Sequence, residues 1–395
     1  MKDFWKEPEA KKINIKKIII ISIIAILVIF LITISIIYVK NTSFREWIDT
    51  NILRKEVEEE KLATIEIKEE ENTKICAFNQ YIGTLSKNEF KLYNNTGKEE
   101  KSQTIEITNP IFNTNGRYLA IAEEKGQKIY FMTDKEISWE KTIEGNISQI
   151  QVSQNGYVAV AIVGTTHKTV ITVYNDKGET LFTRFLSTAR VSDISISQDN
   201  KYIAIAEIDT SGIVIESTVE MISIEKATNK TESNNSSIAL YKFDDNELIT
   251  NIEYQEKDKL ICMSKDKITA FDEEGNKTEI INNKDKKTSF QTIQLKNNVV
   301  SIEEKASSLF TADSIVKIIN TDTKNETTYT ANAVTKNLYT YENMIALNLG
   351  TEADFVNTGG WLVKRYKANQ EISDIVISGN LAGIIYRDKI EIINL

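Results

Sequence analysis

The chain has 395 residues, with 48 Lys and Arg against 57 Asp and Glu, a formal net charge of −9. An acidic chain of this kind is not an electrostatic nucleic-acid binder. Two Cys, one His and two Pro exclude a disulfide scaffold, a Cys/His zinc module and a Pro-rich or collagen-like chain.

Residues 1–17 carry six Lys against Asp3, Glu7 and Glu9, a net +3 placed directly before an apolar run. That run, residues 18–39, reads IIIISIIAILVIFLITISIIYV and holds no charge. As a helix at 1.5 Å per residue it reaches about 33 Å, the thickness of a bilayer hydrocarbon core. Its polar side chains are Ser22, Thr33, Ser35 and Tyr38, and hydroxyls can return their hydrogen bonds to the helix backbone. The pattern predicts one transmembrane signal anchor with a short basic cytoplasmic tail. A cleaved signal peptide is the competing reading, but Lys40-Asn41-Thr42-Ser43-Phe44 offers no small-x-small site, and no lipid-anchoring Cys follows. The whole chain is −9 and the tail +3, so residues 40–395 carry −12 and are expected outside the membrane.

Residues 40–61 read as a stalk or interfacial segment. Phe44, Trp47, Ile48 and Ile52 fall on one helical face, and Glu56, Glu58, Glu59 and Glu60 follow. A solvated stalk, an interfacial helix and a short dimerising helix all fit.

From residue 62 the grammar changes to short apolar or alternating runs separated by turn residues, which is strand grammar. Three stretches are alike: Phe112–Glu123, Val152–Ala161 and Ile196–Glu207. Each reads strand, tight turn, Tyr, then an Ala-rich alternating strand. Weaker copies place second-strand anchors at Ile82, Leu119, Val158, Ile203, Ile261, Val300, Ile345 and Ala382. A period near 40 residues with four strands per repeat is propeller spacing. The one long gap, after Ile203, is assigned to a polar insertion at 225–237. A second signature has an aromatic residue four positions before Gly: Tyr93/Gly97, Tyr174/Gly178 and Phe271/Gly275. These are expected to be third-to-fourth-strand turns with Gly in the left-handed position.

The fold class expected is all-β: an eight-bladed β-propeller over residues 62–395, with seven blades as the alternative, preceded by one transmembrane helix. The last repeat has only three strands, at 371–378, 381–388 and 389–395. Strand 62–68 belongs to no other blade, and pairing it with 389–395 closes the ring and hides both edges. The Ala residues at 120, 122, 159, 161, 204 and 206 are expected to let sheets approach closely.

Chemistry is sparse. His167, in Gly164–Thr169, has no nucleophile or orienting carboxylate nearby in sequence and reads as a loop residue. Cys76 and Cys262 fall in the first and fifth blades, too far apart for a disulfide, and are expected buried and reduced. Asp199, Glu207, Asp209, Asp244, Asp245 and Asp266 lie near strand ends without recurring in a phase that rings the channel. Asp272–Gly275 resembles a calcium loop only superficially and reads as a hairpin turn. Trp139 and Trp361 are assigned to blade packing; Gly359-Gly360-Trp361 is an isolated kelch-like echo. No catalytic, cofactor-binding or metal residue is assigned, and no cofactor is expected. Segments 164–168, 207–216 and 303–310 extend beyond ordinary blade length and mark one rim as a candidate partner surface.

The layout, with the stretches Asn115–Glu123 and Asn175–Glu179, resembles a family of Firmicutes single-span, membrane-anchored β-propellers of unknown function. That resemblance implies a clostridial-type envelope protein and brings no catalytic residues. The Ala-rich strands are also similar, at fold level, to the propeller of outer-membrane assembly lipoproteins, whose lipid anchor is absent here. WD-repeat and quinoprotein likeness is of fold alone. The function expected is a non-catalytic protein-binding or scaffolding module whose partners are envelope or membrane proteins, as monomer or dimer. An extracytoplasmic ligand sensor is the alternative, followed by a glycan-processing enzyme with channel carboxylates.

Overall fold

A computed structural model describes residues 15–40, 48, 62–68, 71–164, 166–229, 235–243, 247–255, 259–272, 275–283, 288–306 and 312–395. Of residues 15–21 and 39–40 it describes the backbone. The expectations placed on residues 1–14, 41–47 and 49–61, and on Asp244 and Asp245, lie outside these residues.

Helix α1 (Ile15–Lys40) contains the apolar run. Thr33 Oγ1 donates to Ile29 O and Ser35 Oγ to Leu31 O, each at 2.9 Å, so both hydroxyls are satisfied within the helix. Side chains are described from Ser22 to Tyr38, about 26 Å of helix. Among the described residues no helix is long and apolar enough to cross a membrane.

The remaining strands run in chain order. β1 is Ala63–Glu66. The first blade is β2 (Lys74–Phe78), β3 (Tyr81–Ser86), β4 (Glu89–Tyr93) and β5 (Glu99–Thr104). The second is β6 (Pro110–Asn115), β7 (Tyr118–Glu123), β8 (Lys128–Thr133) and β9 (Glu136–Thr142). The third is β10 (Asn146–Val152), β11 (Val158–Val163), β12 (Thr169–Tyr174) and β13 (Thr180–Leu186). The fourth is β14 (Ala189–Ile196), β15 (Tyr202–Asp209), β16 (Glu216–Ser223) and β17 (Ser237–Lys242), with a short helix α2 (Ile224–Thr228) between the last two strands. The fifth is β18 (Ile249–Gln255), β19 (Lys259–Ser264), β20 (Lys267–Phe271) and β21 (Lys277–Asn282). The sixth is β22 (Thr288–Leu295), β23 (Asn298–Ala306), β24 (Ala312–Asn320) and β25 (Glu326–Ala331). The seventh is β26 (Asn337–Tyr341), β27 (Met344–Asn348), β28 (Glu352–Asn357) and β29 (Leu362–Lys367). The eighth is β30 (Asp374–Ser378), β31 (Leu381–Ile385) and β32 (Lys389–Asn394), completed by β1.

Every blade is an antiparallel four-stranded sheet, and the eighth has the order β1-β32-β31-β30. β1 pairs with β32 in the register Ala63↔Ile392 to Glu66↔Lys389. The first strands of consecutive blades lie side by side round the whole ring, β2 against β30 included. All eight second-strand anchors fall in second strands, and each is fully buried. The buried residues form eight apolar clusters, one at each blade-to-blade interface. Alternation in the second strand feeds two interfaces at once. In β7, Leu119 and Ile121 pack toward the first blade, while Ala120 and Ala122 face the third.

The Gly turns sit where the spacing placed them. Gly97, Gly178 and Gly275 have φ of 70°, 79° and 82°. A Cβ on Gly178 would lie 2.9 Å from Cγ of Trp139, so this turn needs glycine for conformation and for space. Trp139 stacks on Phe131 at 5.1 Å and lies 5.9 Å from Tyr174, packing the second blade on the third.

Two expectations need correction. Trp361 does not pack between blades: it is 55% exposed, in the turn Asn357–Trp361 between β28 and β29. That turn repeats the Gly signature, with Gly360 at φ 76° and Gly359 N and Trp361 N donating to Asn357 Oδ1. The insertion at 225–237 is not wholly loop. α2 begins it, capped by Ser223 Oγ accepting from Lys226 N, and buries Ile224 and Ala227 beside β13. A five-residue helix is too short to show a period in sequence.

Candidate functional site

In a four-stranded meander, alternate connections lie at opposite ends of the sheet. First-to-second and third-to-fourth turns share one face of the ring. Second-to-third and blade-to-blade connections share the other. Leu62 N donates to Ile392 O at 3.0 Å, so the chain enters on the first of these, the near face. The extended segments at 164–168, 207–216 and 303–310 all open onto the far face; residues 165 and 307–310 lie outside the described set.

The most developed part of the far face lies on blades three and four. β15 and β16 pair over eight positions, from Tyr202↔Ser223 to Asp209↔Glu216. Their connecting hairpin carries Ile213, Val214 and Ile215, and Ile213 is fully solvent-exposed. Phe185 and Val163 of the third blade are also exposed large apolar residues toward this face.

Below the hairpin the two blades interlock through charge. Arg184, on β13, donates from Nε and a terminal nitrogen to the two oxygens of Glu220, on β16, at 3.1 and 2.8 Å. Glu220 is buried and so needs this partner. Glu207 stands on the same face of the sheet. Burial pushes its carboxyl up to about 7, reinforced by Glu220 and opposed by Arg184. Asp209 is different: Thr188 Oγ1 donates to it at 2.6 Å and Ser211 N at 2.8 Å. Those bonds hold its carboxyl down at about 2.

His167 is half-buried, with Nδ1 3.3 Å from Ser187 Oγ and its ring 5.0 Å from that of Phe185. A nucleophile–base pair also needs an orienting carboxylate. The acid of this corner, Asp209, is already held by Thr188 and Ser211, so the geometry assembles no triad.

A second polar constellation lies along the inner strands, which share no backbone ladder with the inner strands of adjacent blades. β10, β14, β18 and β22 each bulge near their start. At each bulge a hydroxyl donates to a second-strand carbonyl: Ser148 to Ala161 O, Ser192 to Ala206 O, Thr250 to Met263 O and Ser289 to Ile302 O, at 3.1–3.3 Å. In β10 and β14 the residue after the bulge reaches the next blade. Gln149 donates to Asp193 Oδ1, and Asp193 Oδ2 accepts from Ile252 N at 2.8 Å. Two positions on, Ser195 Oγ accepts from Tyr254 N at 2.9 Å, and Gln255 Nε2 donates to three carbonyls of the sixth blade at 2.8–2.9 Å. These bonds tie neighbouring inner strands together.

Burial raises Asp193 to about 6, against the backbone N–H donors of Ile252 and Ile194. It raises Glu253, on β18, to about 8, with Asp193 adding to the shift. Asp193 has both oxygens engaged, so the two do not form a free acid–base pair. Elsewhere Cys76 and Cys262 are buried free thiols, Cys76 pushed up to about 12 by burial. Among the described residues no group of three His, Cys, Asp or Glu side chains stands close enough to hold a metal ion.

Neither Glu207–Glu220–Arg184 nor Gln149–Asp193 stands out as a cluster in the sequence, since each joins residues of different blades. The second had a signal: Ser148-Gln-Ile150, Ser192-Asp-Ile194, Thr250-Asn-Ile252 and Ser373-Asp-Ile375 recur in blades three, four, five and eight.

Residues 53–395 match a family of unknown function (DUF5711). The chain belongs to that family. No curated protein matches its sequence. Among solved structures it is similar to BamB from Moraxella catarrhalis, at 11% identity and TM-score 0.51, over 85% of this chain and 100% of that one. It is similar to the dihydro-heme d1 dehydrogenase NirN in complex with DHE, at 9% identity and TM-score 0.53, over 83% and 72%. It is also similar to a eukaryotic initiation factor, at 12% identity and TM-score 0.52, over 86% and 87%. Identities this low establish the propeller fold, and the group includes a dehydrogenase, so the fold does not decide between binding and catalysis.

Proposed function

We propose that this DUF5711 protein is a membrane-anchored, extracytoplasmic scaffold of a Firmicutes-type cell envelope that docks another envelope protein through the far face of blades three and four. The hairpin carries the reading: Ile213, Val214 and Ile215 are consecutive, apolar and exposed at the tip of two strands that outrun the blade core. Apolar side chains clustered on a rigid scaffold are what a protein partner buries. The anchor is α1, whose 26 residues reach about 39 Å, with the basic tail on the cytoplasmic side.

The test is a double variant, Ile213→Asp with Ile215→Asp, in the full-length protein. Its melting temperature stays at the wild-type value, while envelope proteins that co-purify with the wild type are lost. Unchanged co-purification sinks the docking surface.

A further inference from the structure

On the near face, where blade eight meets blade one, lies an open cleft of about 440 Å³, within the roughly 300–1,000 Å³ of small-ligand sites. Its wall carries six carboxamides, of Asn79, Gln80, Asn94, Asn95, Asn380 and Asn394. Tyr81 and Leu381 complete the lining, and no charged side chain contributes.

The place in the fold is singular. In the other seven blades a connection joins the third strand to the fourth on this face. In the eighth, those strands are β32 and β1, which no turn connects. The cleft lies beside that junction, between the turns 79–80 and 379–380 and the turn at Asn94.

Two of the carboxamides build the wall. Asn79 Nδ2 donates to Asp134 Oδ1 at 3.0 Å. Asn94 Oδ1 accepts from Thr96 N and Lys98 N at 2.9 and 3.1 Å. Gln80 N donates to Ser378 Oγ at 2.7 Å and ties blade one to blade eight. The side-chain amides of Gln80, Asn95, Asn380 and Asn394 are solvent-exposed and have no protein partner among the described residues.

We propose that this cleft binds a neutral carbohydrate, free or as a unit of a glycan. A sugar hydroxyl both donates and accepts, and a carboxamide offers both functions on one planar group. An anion or cation would call for charge-assisted partners, and the lining has none. The site is independent of the far-face docking surface.

The experiment is calorimetric titration of the full-length protein in a detergent without a sugar headgroup. The probes are glucose, N-acetylglucosamine, maltose and chitobiose, with phosphate and acetate as charged competitors. The expected result is saturable binding of at least one sugar at one site per chain, not displaced by the anions. Asn95→Ala with Asn380→Ala weakens it at least tenfold at an unchanged melting temperature, because neither side chain holds the fold. Trp361→Ala, on the same face at another blade, leaves the affinity unchanged. Retention on chitin identifies a polymer-borne unit and binding of free sugar alone a soluble one, and either upholds the class. No saturable sugar binding, displacement by phosphate, or full affinity in the double variant overturns the proposal.

Discussion

Blades eight and four share a Ser-Asp-Ile triplet, at 373–375 and 192–194, but differ in strand length. The strands of blade eight run 5, 5, 6 and 4 residues. Those of blade four run 8, 8, 8 and 6. In blade eight the short strands stay inside the core: Ile375, Ile377, Ile384, Ile390, Ile392 and Ile393 are all buried. In blade four the same unit overruns the core on the far face, bringing Glu207 and Asp209 to its margin and lifting Ile213 into solvent. The closing blade spends its residues on joining the two chain regions. The fourth spends its surplus on surface, which is where a repeat scaffold can acquire contacts without disturbing its interfaces.

The largest effect is expected at the closure. Ile390→Ala removes a fully buried side chain opposite Ile65 and costs about 2–5 kcal/mol. Urea unfolding reads it as a lower midpoint with little change of slope. A loss well under 1 kcal/mol would mean that β1 contributes nothing to the ring. Next, Arg184→Met strands the buried Glu220 at the interface of blades three and four, for roughly 2–3 kcal/mol. Arg184→Met with Glu220→Gln recovers most of that loss, and a double-mutant cycle measures the coupling.

The third effect is pH-dependent. Asp193, Glu207 and Glu253 are raised to about 6, 7 and 8, so between their unfolded values near 4 and these values the folded chain holds protons that the unfolded chain has released. Stability therefore falls as pH rises through that window, by at most about 1.4 kcal/mol per pH unit for each group. Glu253→Gln flattens the upper part and raises the melting temperature at pH 8. Below pH 4 the sign reverses, because Glu71 and Asp209, both lowered to about 2, lose their bonded carboxylates. A melting temperature flat from pH 5 to 8 would contradict the burial assigned to these acids.

Much of the fold was legible because propeller grammar is local. The Tyr-x-Ala-x-Ala second strands and the aromatic-to-Gly turns each lie within one hairpin, and their phase points to eight blades, with seven as the alternative, a last repeat of three strands and an extra strand at 62–68. Interface chemistry was not legible, because it joins residues from different blades. Arg184 meets Glu220 across 36 positions and Asp193 meets Ile252 across 59. The triplet Ser192-Asp-Ile194 is visible as text, but a polar residue in a strand reads as surface until the bulge turns it toward the next blade. Trp361 misled for the reverse reason: a large aromatic reads as core, and its turn places it in water.

The most direct test of the docking face is photo-crosslinking in living cells, with the reactive side chain at position 213 or, as a reference, at Leu240, an exposed apolar residue on the outer strand β17. The account predicts a discrete adduct with another envelope protein from position 213 and none from 240. The same adducts from both positions, or none from 213, would contradict it.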